Sequence, residues 1–141
     1  MQRGPVDFLV AEFQEGSFHG GLTTAIARLV EQNIVHIIDL VFISKDADGN
    51  VEAIEIDALD DEAAEFYSGL DGEYGGLLSD EDLSAAGADL APGSAAGLIV
   101  YENVWAREFL AALGEAGGTV ISQARIPAED VEVAFAGLED A

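Results

Sequence analysis

The sequence predicts an α+β fold, a ferredoxin-like sandwich, and three observations predict it. Strand-like and helix-like patterns follow one another as strand–helix–strand twice, over 6–44 and 95–126. Asp48-Gly49 is a hairpin signal joining two strand-like runs, which argues against a doubly wound parallel sheet. Half of the 141 residues are hydrophobic and none is cysteine, so the chain must hold together by a core and not by staples.

Val6–Phe13 is rich in aromatic and branched residues and reads as the first strand. Gly20-Gly21 opens a helix through about Gln32, with Leu22, Ile26, Leu29 and Val30 on one face. Ile34–Ser44 is a long strand, and Val51–Ile56 returns as a shorter, more polar one suited to a sheet edge. From Asp57 to Gly93 the chain turns acidic and glycine-rich, and 57–93 reads as a helical insertion on a single domain spanning 1–141. Asp60 caps a first short helix there and Ser79 a second, through Ser79-Asp80-Glu81-Asp82, with Gly69–Gly76 between them. Ala95–Glu102 is a buried strand. The helix after it carries Trp105, Phe109, Ala112 and Leu113 on one face and stops at Gly117-Gly118. Thr119–Ile126 reads as the last strand, and Pro127 starts a final helix with Val131, Ala134, Phe135 and Leu138. The expected sheet order is 119–126, 6–13, 95–102, 34–44, 51–56.

Charge narrows the partners. Twenty-eight acidic residues stand against five basic ones (Arg3, Arg28, Lys45, Arg107, Arg125), a formal −23. Such a surface repels phosphate backbones and anionic lipid, so neither nucleic acid nor a membrane surface is an expected partner, while a basic protein is. Asp7 and Glu12 interrupt the apolar run that a signal peptide needs. The longest charge-free stretches, Gly16–Ala27 and Leu90–Tyr101, fall well short of the roughly twenty apolar residues of a membrane span. A soluble, cytoplasmic protein is expected.

Each chemical motif has a plainer structural reading. Ser44 to Glu55 overlays a twelve-residue calcium loop, with oxygens at Ser44, Asp46, Asp48 and Glu55 and glycine at Gly49. A strand precedes it where that motif needs a helix, so a polar hairpin is the reading. His36 sits inside an apolar strand with Asp39 on the opposite face, and a packed or edge histidine explains it. His19 has no ligand partner at metal spacing. Gly16–Gly21 leads from a strand into a helix but is neither GxGxxG nor GxxxxGK[ST], and holds no Lys or Arg. Trp105 with Phe109, and Phe13 with Phe18, read as core. No catalytic, cofactor-binding or metal-binding residue is assigned, and no cofactor is expected.

Four stretches carry a resemblance: GPVDFLVAEF at Gly4–Phe13, IIDLVFISKDADGNVEAIEI at Ile37–Ile56, GLLSDEDL at Gly76–Leu83 and LIVYENVWAREF at Leu98–Phe109. Together they resemble a family of small actinobacterial proteins of unknown function, similar in turn to a broader bacterial set of stress-associated proteins. The resemblance implies a bacterial cytoplasmic setting and a duplicated strand–helix–strand plan; no activity, cofactor or catalytic residue comes with it. Relatives in the broader set carry a glycine-rich hydrophobic segment where this chain has the acidic 57–93.

Two function readings follow. In strand 34–44 both faces are apolar, Ile34, Ile38, Leu40 and Phe42 against Val35, Ile37, Val41 and Ile43, whereas helices of an open-faced sandwich cover one face only. The second face is left to the final helix, the 57–93 insertion or a second copy; the helix is short and the insertion too acidic and glycine-rich to shield a sheet, so the first reading is a non-enzymatic self-association or protein-interaction module with a homodimer the expected assembly. The second is a small-molecule-binding or oxygenase-like enzyme of the dimeric α+β barrel type, which needs an enclosed pocket with His36 or Asn103 pointing into it.

Overall fold

The computed structural model describes residues 3–14, 20–54 and 78–139. The elements are β1 (Val6–Gln14), α1 (Gly20–Glu31), β2 (Val35–Lys45), β3 (Val51–Ile54), α2 (Asp80–Ala88), β4 (Ser94–Asn103), α3 (Ala106–Glu115) and α4 (Ala128–Glu139). The protein is α+β, with four helices and one four-stranded antiparallel sheet in the order β1-β4-β2-β3 among the described residues. That order is the expected one for these four strands. The helix capped by Asp60, the Gly69–Gly76 connection and the end of the hairpin strand at 55–56 lie outside the described residues.

The chain falls into two compact units, Met1–Ala111 and Ala112–Ala141. The first holds the sheet. β4 is its central strand, nearly continuously buried, because it is flanked by β1 and β2 and packed on both faces. On one face Ile37, Leu40, Phe42 and Ala95 form a core with Phe13, Ile99 and Tyr101, covered by Ile26 and Val30 of α1. Leu29, expected on that apolar stripe, is 40% exposed. On the other face Ile43, Ala96 and Leu98 pack with Ala86 and Leu90, joined by Val41, Leu78 and Leu83.

Both apolar rows of β2 are therefore covered within the chain, and α2 and Leu90 do for the second what a partner subunit was expected to do. The acidic insertion was expected to be too polar for this. Its α2 succeeds because Asp80, Glu81 and Asp82 stand in the first turn, where they complement the helix dipole, and Leu83, Ala86 and, beyond the helix, Leu90 are left for the sheet. Ser79 and Asp82 complete a full capping box: the Ser79 hydroxyl accepts from Asp82 N, and the Asp82 carboxylate accepts from Ser79 N. Gly87 lets the helix lie against β3, since a Cβ there would sit 2.7 Å from a Val51 methyl.

A β-bulge at Ile37/Asp39 changes the faces read from simple alternation. Below it His36 pairs with Glu102; above it Asp39 pairs with Val100. Glu102 and Val100 share a face of β4, so His36 and Asp39 lie on the same face and not on opposite ones. The same shift puts Ile37 in the core of Leu40 and Phe42.

Two further expectations fail. Trp105 and Phe109 are not core but 63% and 61% exposed, and the residue that α3 buries is Ala106. The helix is rotated by its anchor, Arg107, which reaches a buried carboxylate. Residues 119–126 form no strand, although their composition is strand-like. A strand is stabilised by its neighbours' hydrogen bonds and packing, and this segment lacks a ladder. In the second unit α3 ends at Glu115, Gly117 just beyond it adopts φ 82°, and Gly118 N donates back to Leu113 O. No described residue of that unit is buried. Among the described residues no helix is long and apolar enough to cross a membrane.

Candidate functional site

The main polar cluster in the sheet unit is built on Glu102. Alternation along β4 turns its side chain to the face of Leu98 and Val100, where it is fully buried. A buried carboxylate needs donors around it, and this one has four. Arg107 closes a fork on it from α3, Nε to Oε2 and Nη2 to Oε1 at 2.5 Å each. Gly4 N donates to Oε2 at 2.7 Å and Arg3 Nη1 to Oε1 at 3.1 Å. His36 Nδ1 lies 3.8 Å from Oε1. The hydrogen bonds and charge of Arg107 outweigh burial, and with Gly4 and Arg3 they lower the Glu102 pKa to about 2. The cluster staples three segments: the residues before β1, the end of β4 and the start of α3.

The geometry at Gly4 is tight, since a Cβ there would stand 2.2 Å from Asn103 O. Two of the chain's five basic residues and one of its two histidines thus converge on one carboxylate. The side chains of Arg3 and Arg107 stay 49% and 35% exposed, so the outer side of the cluster is a cationic spot on an acidic protein. Sequence reasoning missed it. The available signal was Glu102 itself, a lone acid on the buried end of an otherwise apolar strand.

A second buried carboxylate, Asp39, accepts from Leu40 N and Leu78 N at 2.9 Å, and so fastens the entry to α2 onto the sheet. Lys45 Nζ donates to the carbonyls of Gly87 and Leu90 at 3.0 Å and secures the other end of that segment. The rest of the sequence candidates separate. Asn103 pairs with Val35 and His36 with Glu102, so the two residues of the oxygenase-like reading stand on opposite faces of the sheet. The Asn103 amide donates to Pro5 O and Asp7 Oδ2 and its oxygen accepts from Trp105 Nε1, a structural role. Asp46 organises the hairpin: Oδ1 accepts from Asp48 N and Asn50 N, and Oδ2 from the Asn50 amide. Those bonds, chiefly from Asn50, hold its pKa below the ordinary value. Gly49 takes φ 91° at the turn. No cluster of three or more metal-ligating side chains occurs among the described residues. His19 and the Gly16–His19 loop lie outside them.

One more surface stands out. Among the described residues β1 is an edge strand, and Val6, Phe8 and Val10 on one face and Leu9 on the other are exposed, Phe8 by 53%. The Val6 end of that row adjoins Glu102 and its arginines.

Fold and site define the class: a small α+β protein whose central sheet is pinned by a buried carboxylate–arginine cluster and whose first strand is an apolar edge. The chain belongs to the family of unknown function DUF6325, whose profile matches residues 2–139. Neither the curated proteins nor the solved structures yielded a match.

Proposed function

We propose that the protein is a non-enzymatic self-association or protein-interaction module that works through β1, with a homodimer as its basic assembly. One observation carries this reading: β1 presents Val6, Phe8, Leu9 and Val10 to solvent along a sheet edge that is open among the described residues. Full burial of such a side chain is worth about 1.5–3 kcal/mol, and an unpaired edge offers a row of backbone donors and acceptors besides. A bacterial, cytoplasmic role connected to stress rests on the sequence resemblance. An acidic surface makes a basic protein the fitting outside partner.

Light scattering behind gel filtration, at tens of micromolar as a range suited to ordinary dimers, is the test. A dimer that Phe8→Asp converts to a folded monomer supports the module; a monomer at every concentration removes it.

A further inference from the structure

We propose that Arg3, His36 and Arg107 form a binding site, on the solvent side of Glu102, for the carboxylate of a short-chain monocarboxylate. The inference goes beyond self-association and does not depend on it, and every residue it uses lies in the unit Met1–Ala111. Its ground is a surplus of cationic groups. The Arg107 fork and Gly4 N already give both Glu102 oxygens a donor, so this buried carboxylate is satisfied without Arg3 or His36. Yet Arg3 Nη1 also reaches Oε1, and His36 Nδ1 stands 3.8 Å from the same oxygen. Two of the chain's five basic residues and one of its two histidines are thus gathered on a charge that a single arginine neutralises.

The surplus faces outward. All three cationic side chains are partly exposed while Glu102 is fully buried, so the carboxylate holds them from beneath. Arg3 Nη1 and Arg107 Nη2 share Oε1, which keeps these two nitrogens no farther apart than the two bonds laid end to end. Among the described residues Arg107 Nη1 and the Nε and Nη2 of Arg3 have no acceptor. A planar anion with two oxygens suits guanidinium donors held side by side. Charge sets its valence. Two guanidiniums on one carboxylate leave one positive charge, and the acidic surface opposes every further negative one, which favours a monoanion over phosphate. Val6, the register partner of Glu102, is exposed on the same face and offers a short apolar tail a surface to cover.

The test titrates sodium butyrate into the full-length protein in about 0.1 M salt, where charges beyond about 10 Å are screened. Nuclear magnetic resonance should show saturable shifts at Gly4 N–H, Arg107 Nε–H and the Val6 methyls, with a millimolar Kd. Arg3→Gln should weaken binding by about tenfold or more in Kd. That variant should stay folded, since Arg107 and Gly4 still hold Glu102. Butanol, the same tail without the charge, should leave Arg107 Nε–H unmoved, and inorganic phosphate should bind more weakly than butyrate. Absence of a saturable shift overturns the site. So does butyrate binding that Arg3→Gln leaves unchanged, an equal response to butanol, or tighter binding of phosphate. Light scattering on the same samples reads self-association separately, so each proposal can fail without the other.

Discussion

Glu102 is the residue on which the sheet unit depends most for its polar order. Replacing it with Gln keeps the shape but removes the charge that two arginines and a backbone N–H were arranged around. The arginines are partly solvated, so the loss belongs at the lower end for a broken buried ion pair, about 2–3 kcal/mol at neutral pH. The pH dependence has a definite sign. The folded pKa, about 2, lies below the ordinary 4.5, so the folded state binds this proton less readily than the unfolded one. Its stabilisation is complete above pH 4.5 and lost as pH falls towards 2. Urea denaturation of wild type and Glu102→Gln should differ at pH 7 and converge near pH 2; a gap that persists at low pH would contradict this. Gly4→Ala should also destabilise, because the obstacle at 2.2 Å is the Asn103 carbonyl, backbone that cannot rotate away.

Among the elements, α2 has the most consequence per residue. It is short, and its hold on the sheet depends on its caps and on Asp39 and Lys45 at its two ends. Ser79→Ala should cost about 1 kcal/mol, the usual worth of an N-cap. Hydrogen exchange should then quicken in 80–90 before it does so in β4, because the helix covers the sheet and not the reverse. The β2–β3 hairpin is likewise self-sufficient: Asp46 spends both carboxylate oxygens on the turn. Calorimetry with calcium in ~0.1 M salt should therefore show no binding near the 10⁻⁶ M of sensor loops. A micromolar site abolished by Asp46→Ala with Asp48→Ala would refute that.

For the whole molecule the governing quantity is the formal charge of −23. Like charges oppose both compaction and association, and salt screens them. Both the thermal midpoint and the dimer should therefore strengthen between roughly 0.01 and 0.3 M NaCl, a range that shortens the Debye length severalfold. A midpoint that falls over that range would contradict the charge argument. Heparin and DNA columns should not retain the protein at physiological salt, and retention that weakens steeply with added salt would count against it.

The sequence by itself determined the α+β class, the hairpin at Gly49, the helices at 20–31, 106–115 and 128–139, and the order of the four strands. All but the strand order are local, since a hydrophobic period, a turn residue, a cap or a proline states them within a few positions, and the order followed from the repeated strand–helix–strand plan. Tertiary structure decided what depends on distant residues. The Ile37/Asp39 bulge moved His36 and Asp39 onto one face, and no alternation pattern announces a bulge. The carboxylate cluster joins Arg3, His36, Glu102 and Arg107 across nearly the full sheet unit, so its members look like isolated surface charges until the chain folds. Residues 119–126 mark the limit from the other side. Their strand-like composition was legible, but a strand is a relation between two segments, and composition supplies only one of them.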